Sequence, residues 1–303
     1  MIPLFISSKN RPMQLRLLLD SMRINCYRLF DVTVLYKADN LSYSLGYKKL
    51  EQERLLPVLK FVEEDADTNG MFINQINDFF DMYSDFFSLM VDDNIFYRKI
   101  DISPEDIIQQ LEEDVFCVSL RLGRNTTAPN YMMPERQTPL VNAEATGDEF
   151  IKWNWTEYES DSAKQEFSNY GLPFTWDGGV YRTEDIRAII DSSDILHPDF
   201  MTNFPLPHKM ESAINSYVIS NPIRPFLTSL TESCVIGMDW NKVINVANTH
   251  GKKVDVDTQS INEYYLKNMA IDVNSINFEN IQTCHEELDF KFKIIENENV
   301  SRI

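Results

Sequence analysis

Residues 86–94 read Phe-Phe-Ser-Leu-Met-Val-Asp-Asp-Asn, an apolar run without polar alternation that ends abruptly in two carboxylates and an amide. A run apolar on both faces fits a central parallel strand covered by helices on either side, so the chain is constrained to a layered α/β architecture. Asp92, Asp93 and Asn94 then fall at the strand's carboxyl end, the edge where open α/β sheets bind ligands. Clustered oxygen donors there suit a hard divalent cation, which can bridge a protein to a phosphorylated substrate. The feature predicts an enzyme.

The rest of the first hundred residues alternates in the same sense. Ile2–Ser7 reads as a short apolar strand. Ser8-Lys9-Asn10-Arg11-Pro12 follows, with capping residues and a proline suited to a first helical turn, and then Leu15, Leu18, Leu19 and Met22 recur at helical spacing. Val32–Tyr36 is a second strand ending in Lys37-Ala-Asp-Asn40, Tyr47–Leu56 a helix stopped before Pro57, and Lys60–Glu63 a third strand. Phe72–Tyr83 has helical apolar spacing and leads into the 86–91 strand. Alternation of this kind predicts a doubly wound parallel sheet. Further on, the pattern predicts a helix from Pro104 to about Glu113 and a buried strand Val115–Leu120 closed by Arg121-Leu-Gly-Arg124. Residues 124–170 read as long loops. Phe174–Tyr181 contains Trp176-Asp177-Gly178-Gly179, Thr183 caps a helix through Ile190, a further helix runs from about His208 to Ser220, and 241–303 read as helix and coil packed on the core. No internal repeat or linker divides the chain, so 1–303 is expected to be a single domain.

A net charge of −19 argues against a nucleic-acid-binding surface, which needs clustered Lys and Arg that this chain does not show. A small diphosphate requires only local positive charge, which Lys9, Arg11 and a bound cation can supply. No stretch approaches the ~20 apolar residues of a membrane span, and Ile2–Ile6 lacks the basic flank and length of a signal peptide, so a cytoplasmic protein is expected. Cys26, Cys117, Cys234 and Cys284 are scattered without metal-ligand or redox spacing, which predicts reduced, mostly buried thiols.

Three segments, taken in order, resemble the GT-A glycosyltransferases, particularly family-2-like members of bacterial or viral type. They are the first strand ending in Ser7-Ser8-Lys9-Asn10-Arg11-Pro12, the helix with Leu15 and Leu18, and the later strand ending in Asp92-Asp93-Asn94. The match covers residues 1–100 well. It extends more loosely to Ser119–Gly123, Gly178–Thr183, Ser260–Leu266 and Cys284-His285-Glu286. The resemblance implies a GT-A-like, mainly parallel α/β sheet flanked by helices. Residues 1–100 would form the nucleotide-sugar half, 101–240 the acceptor half and 241–303 a C-terminal extension. It implies a UDP-, GDP- or TDP-sugar donor, a glycan acceptor, and Mn²⁺ or Mg²⁺ as cofactor. Ser7, Lys9, Arg11, Asp39 and Asp92 would lie along the nucleotide, and Asp93, Asn94 and His285 would take the metal. Asn94 departs from the family's pattern, in which a metal-binding carboxylate is usual at that place.

Breaking a sugar–phosphate bond leaves a nucleoside diphosphate with developing negative charge, which a cation stabilises. An inverting transfer also needs a carboxylate to deprotonate the acceptor hydroxyl. Asp177, before Gly-Gly, is the first candidate for that base and Glu211 the second. Trp153, Trp155 and Trp176 are candidates either for core packing or for a platform under a sugar ring. Two rival readings remain at this point: a nucleotidyltransferase making the activated sugar, against which stands the absence of glycine from Ser7–Pro12, and a catalytically silent glycan-binding or scaffold protein, for which Asn94 speaks.

Overall fold

In the computed structural model, which describes residues 1–64, 71–82, 85–128, 140–158, 168–193, 206–238 and 257–295, the apolar run 86–91 lies inside a nine-stranded sheet. In chain order the strands are β1 (Ile2–Lys9), β2 (Phe30–Lys37), β3 (Leu59–Glu63), β4 (Phe86–Val91), β5 (Asn94–Phe96), β6 (Val115–Ser119), β7 (Glu144–Thr146), β8 (Phe150–Asn154), β9 (Asp177–Arg182), β10 (Phe226–Leu230), β11 (Val235–Gly237), β12 (Met269–Ile271) and β13 (Phe292–Ile294). The helices are α1 (Pro12–Asn25), α2 (Leu41–Glu53), α3 (Met71–Met82), α4 (Pro104–Gln109), α5 (Thr183–Ser193), α6 (Leu206–Ser220) and α7 (Thr258–Leu266).

The large sheet has the order β3-β2-β1-β4-β9-β6-β10-β8-β7. Strands β3, β2, β1 and β4 are mutually parallel, β10 is parallel to β6, and only β9 and β8 run against the rest. The fold is therefore a mixed, mainly parallel α/β sheet. Because β1 goes to β2 on one side and receives β4 on the other, the carboxyl ends of β1 and β4 open side by side, the arrangement that forms a ligand crevice.

Both faces of the sheet are covered, which explains the unbroken apolar strands. Along β1, Ile2, Leu4 and Ile6 face one core with Leu15, Leu18 and Leu19 of α1, Tyr47 and Leu50 of α2, and Ile261 and Tyr265 of α7. Phe5 faces the other, with Phe79 and Phe80 of α3, Ile186 and Ile189 of α5, and Met210 and Ile214 of α6. The tryptophans belong to this second core: Trp153, Trp155 and Trp176 are each 2% exposed or less, which makes them packing residues and not a sugar platform. All four cysteines are buried and free.

Several elements differ from the sequence reading. Helix α2 begins at Leu41, ahead of Tyr47, because the Asn40 side chain accepts the Tyr43 amide N–H and caps it. Helix α4 stops at Gln109, short of Glu113, where the Gln110 and Leu111 amides bond three residues back and tighten the turn. The stretch expected as loops holds the antiparallel pair β7–β8, and β10 was not anticipated because its Thr228 and Ser229 are polar yet buried. Beyond α7 the chain forms the antiparallel pair β12–β13.

Candidate functional site

Two clusters of charge meet at the carboxyl edge of the sheet. The first lies where β1 and β4 end together, with Ser7 opposite Val91. Ser8 Oγ donates to Asp92 Oδ2 at 2.7 Å, and the Lys9 amide donates to the same oxygen at 3.3 Å. Arg11 Nη1 bridges both aspartates, 3.1 Å from Asp92 Oδ1 and 2.8 Å from Asp93 Oδ2. Tyr47 supports the turn from below: its hydroxyl lies 2.6 Å from Ser8 Oγ and accepts the Arg11 amide at 3.1 Å. Burial, reinforced by the neighbouring Asp93 and opposed by Arg11, pushes the Asp92 carboxyl up to about 6.

Ser8, not Ser7, is thus the hydroxyl that touches the acidic pair; Ser7 is in the strand, in register with Leu35 and Val91. Asp39 is tied to the β1–α1 turn. Its carboxylate accepts Asn10 Nδ2 at 2.8 Å, its amide donates to Asn10 Oδ1 at 2.8 Å, and Lys9 Nζ lies 3.2 Å away. Burial raises the Asp39 carboxyl, but the Asn10 and Lys9 contacts outweigh it and hold it below the usual range. Asn10 can make this link because its backbone adopts φ 56°, a left-handed conformation asparagine tolerates.

The second cluster surrounds Asp177 at the start of β9, which runs between β4 and β6. Leu89 pairs with Gly179 and Met90 with Asp177, so Gly178 is an extra residue, a bulge with φ +84°. That bulge turns Asp177 into the edge. Arg121, just beyond β6, donates Nη1 to Asp177 Oδ2 at 2.7 Å, Thr175 Oγ1 donates to the same oxygen at 3.0 Å, and Asn94 Nδ2 donates to Oδ1 at 3.0 Å. His285 Nε2 lies 3.7 Å from Asp177 and 3.3 Å from Arg121 Nη1, held there by the backbone pairing of Gly237 with His285. Glu211, near the start of α6, faces Asp177, Arg121 and Thr175.

The electrostatics separate the two carboxylates. Burial would raise Asp177, but Arg121 and His285 with the Asn94 and Thr175 hydrogen bonds hold it below the usual range. Burial and then the charge of Asp177 push Glu211 up to about 8. Burial lowers His285 despite Asp177, which leaves a neutral imidazole at neutral pH.

The expected metal ligands are not gathered as a set. Asn94 is turned inward, 1% exposed, with Oδ1 accepting the Val91 amide at 3.4 Å and Nδ2 given to Asp177, so it joins the two clusters instead of standing beside Asp93. His285 is with Asp177 and Arg121. Among the described residues no group of three His, Cys, Asp or Glu side chains forms a ready metal cluster. Asp92 and Asp93 nevertheless converge on one point, now taken by a guanidinium nitrogen, and hard oxygen donors aimed at a cation fit Mg²⁺ or Mn²⁺. His197 and His250 lie outside the described residues.

No protein-family profile matches the chain, and no curated protein matches it. Solved structures of similar shape include S. aureus TarS 1–349 in complex with UDP, at 13% identity and a TM-score of 0.43, over 78% of this chain and 59% of that one. Full S. aureus TarS gives 14% and 0.41, over 78% of this chain and 36% of that one. The mannosyltransferase PcManGT from Pyrobaculum calidifontis, in complex with GDP-Man and Mn²⁺, gives 10% and 0.39, over 77% and 54%. The chain therefore spans between about a third and three fifths of these structures.

Arg121, Thr175, Ser8 and Tyr47 were not among the candidates read from sequence. Arg121 carried a usable signal, since it follows a buried apolar strand just as Asp92 follows β4. Tyr47 carried none beyond its place on a helix, because its partner Ser8 is 39 residues away.

Proposed function

We propose that the chain transfers a monosaccharide from a nucleotide-sugar donor to a hydroxyl of a glycan acceptor. The observation that carries this reading is the meeting of an Arg11–Asp92–Asp93 cluster with an Arg121–Asp177–Glu211 cluster at the carboxyl edge of the sheet, linked through Asn94. The first suits a nucleoside diphosphate with its cation, and the second suits the acceptor.

In this reading residues 1–100 take the donor, with Lys9, Arg11 and Asp39 along the nucleotide. Asp92 and Asp93 hold Mn²⁺ or Mg²⁺, which when bound stabilises the departing diphosphate as a Lewis acid. Residues 101–240 take the acceptor, and 241–303 supply His285 from above. Glu211 is the better base. A general base works best with a pKa near the working pH, and Glu211 at about 8 meets that, while Asp177 is committed to Arg121. Burial and the charge of Asp177 raise the basicity of Glu211, against the opposing charge of Arg121. Among the described residues no helix is long and apolar enough to cross a membrane.

The test is a thermal-shift screen of UDP-, GDP- and TDP-sugars with and without Mn²⁺, followed by assay of nucleoside diphosphate release with glycan acceptors. A donor at ~100 times its Kd adds about 2.7 kcal/mol of stability. Stabilisation by one donor, lost in Asp92→Ala and Asp93→Ala, supports the reading. A protein that no nucleotide-sugar stabilises, with or without metal and acceptor, is a silent binding protein instead.

A further inference from the structure

We propose that Arg11 is a built-in counter-ion that occupies the cation position of the Asp92–Asp93 pair and leaves it when a nucleoside diphosphate arrives, so that metal and nucleotide enter together. The inference rests on the nucleotide-sugar reading above and adds an order of binding to it.

The geometry is that of a competitor. One nitrogen, Arg11 Nη1, takes an oxygen from each aspartate at 3.1 and 2.8 Å, and all three side chains are largely withdrawn from water, at 13%, 5% and 16% exposure. Charge-assisted bonds in such surroundings are among the strong ones, so a cation entering alone must first displace them. With both carboxylates ionised the trio still carries one negative charge in excess, which leaves a divalent ion favoured once the guanidinium has gone.

Arg11 is also placed to leave. It is the N-cap of α1, with φ −127° and ψ 50°, and its backbone N–H is anchored on the Tyr47 hydroxyl at 3.1 Å, so the side chain can swing while the main chain stays. A positive group is unfavourable at a helix N-terminus, and the first turn of α1 holds no acidic residue to offset it. A diphosphate at that helix end would be favoured for the same reason and would draw the guanidinium towards itself. A second observation points to an acceptor-bearing ligand here. Gln14, one turn further along α1 and 4% exposed, borders with Asp92 and Asp93 a space too small for a water molecule while Arg11 is in place, and its side-chain nitrogen has no hydrogen-bond partner among the described residues. A buried donor left unmatched is costly, and phosphate oxygens would match it.

The experiment is calorimetric titration of Mn²⁺ into the full chain, alone and with saturating UDP or GDP, for wild type, Arg11→Met and Arg11→Gln, with circular dichroism confirming the fold. Wild type is expected to bind Mn²⁺ at least tenfold more tightly when the nucleoside diphosphate is present. Arg11→Met and Arg11→Gln are expected to bind Mn²⁺ alone at least tenfold more tightly than wild type and to lose most of the coupling to nucleotide. Folded Arg11 variants whose affinity for Mn²⁺ alone is unchanged overturn the inference, as does a wild type that binds Mn²⁺ equally well with and without a nucleotide it demonstrably binds. Should neither nucleoside diphosphate bind under any condition, the donor reading falls, while tighter Mn²⁺ binding by the Arg11 variants still identifies Arg11 as the counter-ion.

Discussion

Glu211 and Asp177 are chemically near-identical side chains driven apart by one guanidinium. Arg121 sits 2.7 Å from Asp177 Oδ2 and fixes its charge there, so Glu211 meets both a desolvated setting and a neighbouring anion. Its ordinary value is 4.5 and its folded value about 8, so between these pH values the folded chain holds a proton that the unfolded chain does not. Stability must therefore fall as pH rises across that window. Glu211→Gln removes the fall. Asp92 contributes a similar decline only up to about 6, so the stability advantage of Glu211→Gln over wild type should grow between pH 6 and 8, as read by urea melts. Activity should rise with pH through the same upper limit and be lost in Glu211→Gln. Removing the other half of the pair is costlier. Asp177→Asn leaves Arg121 buried at 4% side-chain exposure without its ionised partner, and a loss of about 3 kcal/mol is expected in denaturant titrations. The double change Asp177→Asn with Arg121→Met should cost less than the sum of the two. Asp177 and Glu211 could be named from sequence because carboxylates next to glycine or at a helix start are visible in the chain. The guanidinium that differentiates them was not named, because Asp177 and Arg121 are 56 positions apart and only the antiparallel insertion of β9 beside β6 brings them together.

That insertion depends on a local irregularity. The Gly-Gly after Asp177 was legible as a place where backbone approaches closely; its form, a bulge opposite β4, was not, since pairing partners are not written in a strand's own residues. Gly178 has φ +84°, a backbone that strains any residue with a Cβ, and the new Cβ would also displace the flexible end of Met90, whose Cε would lie 2.7 Å away. We expect Gly178→Ala to cost about 1–3 kcal/mol and to weaken donor and acceptor functions together, because Asp177 loses its aim. Gly237→Ala isolates a different part. There a Cβ would lie 2.2 Å from His285 Nδ1, so the variant should expel the segment carrying His285 while leaving β4 and β9 intact. The measurement is the His285 imidazole NMR signal. In wild type it is kept neutral by burial, and in the variant it should return towards an ordinary titration. Strands rich in apolar residues, β1, β2, β4 and β6, were readable because burial on both faces leaves only one composition available. Strand β10 escaped because its Thr228 and Ser229 are polar yet buried, and β8 because an alternation as short as Ile151 and Trp153 is lost among polar neighbours.

The C-terminal segment, which the sequence suggested as an extension, belongs to the same core as the first strand. Ile261, Tyr265 and Ile271 are at most 1% exposed, the Tyr265 hydroxyl donates to Glu53 at 2.6 Å, and Lys293 reaches Asp20 at 3.4 Å. Around this one body the net charge is −19, and the sign of that field makes a prediction that separates the two ligands of the proposed site. The field attracts a free divalent cation and repels a free nucleoside diphosphate, and it acts beyond the contacts of the site itself. Salt shortens its reach from about 10 Å at 0.1 M to about 3 Å at 1 M, while the partly buried Arg11 and Arg121 contacts are screened far less. Raising KCl from 0.1 to 1 M should therefore weaken Mn²⁺ binding and strengthen metal-free UDP or GDP binding, each followed by calorimetry. A nucleotide affinity that instead falls steeply with salt would mean that long-range positive charge guides the anion, against the net field of a chain with 28 Lys and Arg and 47 Asp and Glu. Opposite slopes are what a site should show when its local cations face the nucleotide from within a strongly anionic protein.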